Sequence, residues 1–91
     1  MLEFEWDDEK ARHNREKHGI SFEEAKAVFR DPFALEFLDT RFDYGEERFI
    51  TIGMSAKGVL TAVNTQRDER IRLISARRAT RGEADAYAKN R

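Results

Sequence analysis

At 91 residues the chain forms one domain, residues 1–91, which buries roughly 60–65% of its unfolded surface around a single modest core. It has no cysteine, which excludes disulfides and thiolate zinc sites and fits a reducing compartment. The net charge of −1 averages two unlike parts: residues 1–63 carry 9 Lys+Arg against 14 Asp+Glu, and residues 64–91 carry 8 against 4, so a basic face for an anionic partner is expected beside an acidic remainder.

The start, MLEFEWDDEK, has neither a basic leader nor an apolar run of signal length. No segment approaches the ~18 apolar residues of a membrane span. The expected location is cytoplasmic, without membrane contact. Residues 2–6, LEFEW, alternate apolar and acidic side chains, the period of a half-buried edge strand or an extended arm. Asp7 or Asp8 then caps a helix to about His18, with acids in its first turn, Arg15 and Lys17 in its last, and Gly19 at its end. This helix offers the core little beyond Ala11. Lys10, Asn14 and Lys17 or His18 share one stripe, so the helix is held by its ends or carries polar groups to a site.

Ser21 and Glu24 form a capping box. The helix it opens presents Phe22, Ala25, Val28 and Phe29 to a core, and Asp31-Pro32 ends it. Residues 33–38 and 48–54 read as strands, with a polar loop between them. Residues 59–66 and 69–76 read as two further antiparallel strands, apolar on both faces as central strands are. Thr80 and Glu83 form a second capping box and open a last helix ending near Asn90. The predicted fold is α+β: a small antiparallel sheet of three to four strands, two N-terminal helices and one C-terminal helix.

Metal and triad chemistry find little support. His13 and His18 are five apart and do not share a helix face, no serine lies in a G-x-S-x-G turn, and no phosphate-binding glycine loop exists. No cofactor is expected. The hairpin VLTAVNTQRDERIRLISARR, residues 59–78, instead gathers Arg67, Arg70, Arg72, Arg77 and Arg78 at its turn and exit. Guanidinium is always charged and presents a planar fork of donors that fits phosphate. Beside it stand Asn64, Gln66, Tyr87, Lys10 and His18. Cleavage of RNA uses the substrate's own 2′-hydroxyl as nucleophile, so the protein must chiefly align it and stabilise phosphate charge. Each residue also has a structural reading: Arg72 pairing with a strand neighbour, Tyr87 in the core, His18 capping a helix end, Lys10 in solvent.

Three strings carry a resemblance: FEWDDEKARHNREKHGISFEEAKAVFRDP, EERFITIGMSAKG and IRLISARRATRGEADAY. In order and spacing they resemble the BrnT family of type II toxin–antitoxin toxins, over nearly the whole chain. The resemblance implies a RelE-like fold and a ribonuclease that inhibits translation. It implies a BrnA-like ribbon-helix-helix antitoxin as partner in a hetero-oligomer, with operator DNA bound only through that antitoxin. Carried over, it places the active surface at the strand end Asn64-Thr65-Gln66-Arg67 and at Arg77, with catalytic positions at Asn64, Gln66, Arg67 and Arg77, Arg48 and Arg72 assisting and Tyr87 bordering the site; the polar stripe of the first helix adds Lys10 and His18 as substrate contacts. Relatives show a histidine or aromatic residue, then Thr, then an acid before the arginine. Here Asn64 and Gln66 stand at those places, and an amide accepts no proton near neutral pH. Glu69, Glu83 or Lys10 could take that role, or the chain could be a weak or inactive binding module that acts only as antitoxin partner and co-repressor.

Overall fold

The computed structural model describes residues 2–90. The chain runs β1 (Glu3–Glu5), α1 (Asp8–His18), α2 (Phe22–Ala25), a 3₁₀ helix (Lys26–Arg30), β2 (Leu35–Leu38), β3 (Phe49–Ser55), β4 (Gly58–Arg67), β5 (Arg70–Arg78) and α3 (Arg81–Lys89). The five strands make one sheet in the order β1-β5-β4-β3-β2. The expectation of three to four antiparallel strands therefore falls one short. The LEFEW alternation is a true edge strand, and it lies parallel to β5, with Phe4 opposite Ile71. The second helix is also shorter than its apolar stripe suggested. It tightens to 3₁₀ after Ala25, and this segment lies so close to the sheet that a Cβ on Gly53 would stand 2.9 Å from the Val28 carbonyl oxygen.

The helix signals hold locally. Asp7 accepts from the Glu9 amide, and Gly19 closes α1 with φ 70°, a left-handed conformation that glycine adopts at little cost. Both capping boxes are complete.

One face of the sheet packs under α2, the 3₁₀ helix and Ile20. Phe22, Ala25, Val28, Leu60, Ala62, Ile71, Leu73 and Ala76 are its buried interior, and Phe4, Trp6 and Phe29 pack at the border. Helix α1 lies along the edge of β5 instead. Its Asn14 amide donates to the Ala76 carbonyl at 2.8 Å and accepts from the Ala76 N–H at 2.9 Å. A side chain thus takes the place of a neighbouring strand where the three-residue β1 has ended, and satisfies backbone groups that would otherwise be buried unpaired. Helix α3 covers one end of the second face, where Tyr87 is buried and its hydroxyl donates to Asp31. Asp31 also accepts from the Met54 N–H at 2.8 Å, so one carboxylate joins the 3₁₀ end, β3 and α3.

Candidate functional site: a cationic sheet face

Strand geometry decides which side chains meet. Residues directly opposite in a ladder project to the same face, and alternate residues project to opposite faces. Arg72 and Arg77 are five apart, which in a regular strand would put them on opposite sides. The β4–β5 register shifts between Val63 and Asn64: Val63 lies opposite Ser75 and Asn64 opposite Leu73. Ile74 is therefore the extra residue of a β-bulge, a device that re-aims side chains. Leu73 and Ala76 both reach the core, and Arg72, Ser75 and Arg77 share the second face. Thr65 stands opposite Arg72, Thr61 opposite Arg77, and Arg67 opposite Arg70 across the turn, on that same face.

Alternation also separates the expected catalytic residues. Asn64 and Gln66 pair with Leu73 and Ile71 and so belong to the core side, away from Arg67 and Arg77. Asn64 is 0% exposed. Its amide donates to Thr51 Oγ1 at 3.0 Å and, more distantly, to the Phe49 and Ala62 carbonyls. Gln66 Nε2 bridges Asn64 Oδ1 and Glu36, each at 3.2 Å. Asn64 is enclosed, whereas Gln66 is exposed and lines an open depression with Glu69 and Arg70. Tyr87 lies under α3 at one end of the arginine face, buried, with its hydroxyl on Asp31.

The cations differ in what holds them. Arg77 forms a two-pronged pair with Glu83, at 2.7 and 3.0 Å. Glu83 also accepts from Thr61 Oγ1 and from the Thr80 N–H. These donors, Arg77 first, pull the Glu83 carboxyl down to about 2. The same pair raises Arg77, opposed by partial burial and by the positive charge of Arg41. That repulsion shows the β2–β3 loop bringing a second guanidinium toward Arg77. Arg41 is itself fixed by the buried carboxylate of Asp39, through bonds of 2.9 Å to both oxygens, which hold Asp39 well below the usual carboxylate range. Arg48 lies over the Tyr44 ring, 4.0 Å from its centroid, and pairs with Glu46. Arg70 reaches Glu3 and Glu5 loosely, at 3.6 and 3.7 Å. Among the described residues, Arg67 and Arg72 make no ion pair or side-chain hydrogen bond, and both are exposed.

Lys10 and His18 meet at the edge of β5. With His13 and Lys17 they line a depression of about 230 Å³ between α1 and β5, floored by Ile74 and Ser75. Among the described residues no three His, Asp or Glu side chains gather as metal ligands would, and no helix is long and apolar enough to cross a membrane.

Sequence reasoning missed Arg41, Ser75 and the anchoring role of Asn14. Arg41 lies in a polar loop with no periodicity to place it. The only sign of the bulge was the irregular spacing of Ile71, Leu73 and Ala76.

Fold and site together define a small mixed α+β domain that presents arginines from two adjacent strands and a loop on one sheet face. The chain belongs to the BrnT family: the model described as "Ribonuclease toxin, BrnT, of type II toxin-antitoxin system" matches residues 6–83. It is thus a ribonuclease toxin of a toxin–antitoxin pair. No curated protein matches the chain.

Proposed function

We propose that the chain is a metal-independent RNA endonuclease of RelE-like type that slows translation. A small BrnA-like ribbon-helix-helix antitoxin neutralises it, and the pair reaches operator DNA only through that antitoxin. The observation that carries the reading is the common face of Arg67, Arg72 and Arg77, of which the first two have no carboxylate partner. A scissile phosphate over this face meets fixed positive charge in place of solvent. In the reaction the 2′-oxygen bonds to phosphorus while the bond to the departing 5′-oxygen breaks. One proton leaves the 2′-hydroxyl and one is delivered to the 5′-oxygen. Preorganised donors aimed at the developing phosphorane charge are worth about 10²–10³-fold each. Arg67 and Arg72 are the donors open to substrate; Arg77, clamped by Glu83, is fixed in direction.

The second reading, a catalytically weak antitoxin partner, draws on Asn64 and Gln66 being hydrogen-bonded amides, which take up no proton near neutral pH. Glu83 is a poor base, since its carboxyl is held by Arg77. Electrostatic stabilisation therefore dominates the proposed chemistry over acid–base work.

The test is RNA cleavage by the purified chain in EDTA, with growth arrest on expression as a second readout. Activity is expected in EDTA, and Arg67→Ala and Arg72→Ala should each lower it about 10²-fold or more with unchanged melting. Cleavage abolished by EDTA, or untouched by both substitutions, would reject the mechanism. Folded wild-type protein that neither cleaves RNA nor arrests growth would establish the second reading.

A further inference from the structure

The depression between α1 and β5 remains without a role in the chemistry above. Its lining is chemically one-sided. Helix α1 carries Glu9, Arg12 and Glu16 as a closed ion-pair ladder, with both Arg12 pairings at 3.0 Å. Its other flank carries Lys10, His13, Lys17 and His18, and no acid lines the depression they enclose. Among the described residues neither Lys10 nor Lys17 has a carboxylate within ion-pair distance. Asn14, which bonds β5 through both the N–H and the carbonyl of Ala76, fixes this flank against the strand. The floor adds Ser75, whose side chain the bulge turns to the same face as Arg72 and Arg77. A polar helix that gives the core only Ala11 and Asn14 is thus docked with its basic flank along the β5 edge, beside Ile74 and Ser75.

We infer that this cleft holds the sugar-phosphate backbone of single-stranded RNA on one side of the cleavage point, with Lys10 and Lys17 on phosphates and Ser75 and the imidazoles as further hydrogen-bonding groups. Lys10 and Lys17 are seven residues apart, about 10 Å along a helix, which is a span for more than one phosphate. The interactions are with the backbone and carry no base code, so the cleft sets affinity and register rather than sequence preference.

The substrate class rests on the ribonuclease reading, but the experiment reads binding alone. A 2′-O-methyl RNA oligonucleotide lacks the nucleophile and stays intact. Its affinity is measured across a salt series for the wild type, for Lys10→Ala/Lys17→Ala, for Lys10→Arg/Lys17→Arg, and for Arg12→Ala/Arg15→Ala on the opposite flank. On a single strand, every phosphate that the protein neutralises steepens the fall of log K with log salt by about 0.7. The lysine-to-alanine pair should therefore flatten the slope by about 1.4 and weaken affinity about ten-fold or more near physiological salt. The arginine pair should restore both, and the opposite-flank pair should leave the slope unchanged. A slope that the lysine-to-alanine pair does not move overturns the inference. So does an unmoved RNA slope with lost binding of an oligoglutamate peptide, which would make the cleft a site for an acidic protein segment. Wild type that binds with the expected slope pattern but never cleaves unmodified RNA would sink the nuclease and spare the cleft; cleavage with an unmoved slope would do the reverse.

Discussion

The two faces of this sheet use the same strands for opposite purposes. On the helix-packed face, the polar side chain enclosed within the sheet is a neutral amide, and the charged Glu36 and Arg78 of that face stay at its exposed margins. Asn64 is enclosed by Thr51 and two carbonyls, and its oxygen meets Gln66. Asn14 enters from the sheet's edge and closes the exposed backbone of β5. On the other face, the polar side chains are guanidiniums, and two of them have no internal partner. An amide can be buried because it carries no charge and its donors and acceptor can all be satisfied; a lone guanidinium cannot. Residue type on a strand therefore says less about function than parity does: along Asn64 to Arg67 successive side chains project to opposite faces of the sheet.

The sharpest way to break that contrast is to put charge on the packed face. Asn64→Asp would aim an oxygen anion at Thr51 and at two backbone carbonyls that now receive N–H groups. The expected loss is on the order of 3 kcal/mol or more, seen as a large fall in the urea midpoint. A midpoint shift within error would mean that Asn64 is solvated and the packed face is wrongly drawn.

The junction between the faces responds to pH. Glu83 is held down to about 2 chiefly by Arg77. A depressed carboxyl contributes its full stabilisation above the unfolded value near 4.5. That contribution is lost as pH falls from there through about 2. Glu83 is 24% exposed and Arg77 37%, so the shift converts, after screening, to about 2 kcal/mol. Glu83→Gln should lower stability at pH 7 by about that much, and the gap to wild type should close as the solution is acidified toward pH 2. A gap that stays constant over that range would show that the cap, and not the charge pair, holds α3.

A smaller loss is expected where the 3₁₀ helix meets β3. A Cβ at position 53 would lie 2.9 Å from the Val28 carbonyl and 3.0 Å from its Cγ1. The backbone there cannot swing aside as a flexible side chain would, so Gly53→Ala should cost about 1–3 kcal/mol. A thermal melt distinguishes this from a tolerated change.

Much of the fold was legible because its signals are local. Both capping boxes, the Gly19 stop and the central hairpin follow from a few neighbouring residues, and each appears in the structure. The parallel pairing of β1 was not legible, since it joins residues 3–5 to residues 70–72 and no local pattern encodes a partner so distant. The hairpin pattern gathers the cations at its turn and exit without giving their faces: Arg78 lies opposite Leu60 on the packed side, where Asn64 and Gln66 also project. Arg67, Arg72 and Arg77 share the other face only because of the Ile74 bulge, which no glycine or turn residue announces. Asn64 and Tyr87 look like chemistry in the sequence, yet both are buried. Arg41 stands out only through its charge acting on Arg77 across the fold.

The change that should matter least to the fold is the one that should matter most to the surface. Arg72 lies mid-strand, exposed, opposite Thr65 and beside Glu5, yet Glu5 reaches toward Arg70 instead, at 3.7 Å. With no partner to orphan and no cavity to open, Arg72→Ala should shift stability by less than about 0.5 kcal/mol. Binding of uncleavable RNA should weaken several-fold, with a salt slope shallower by about 0.7. If the substitution instead lowers the melting temperature and leaves RNA binding intact, Arg72 is a structural residue. The contrast between a packed face and a working face would then fail at its centre.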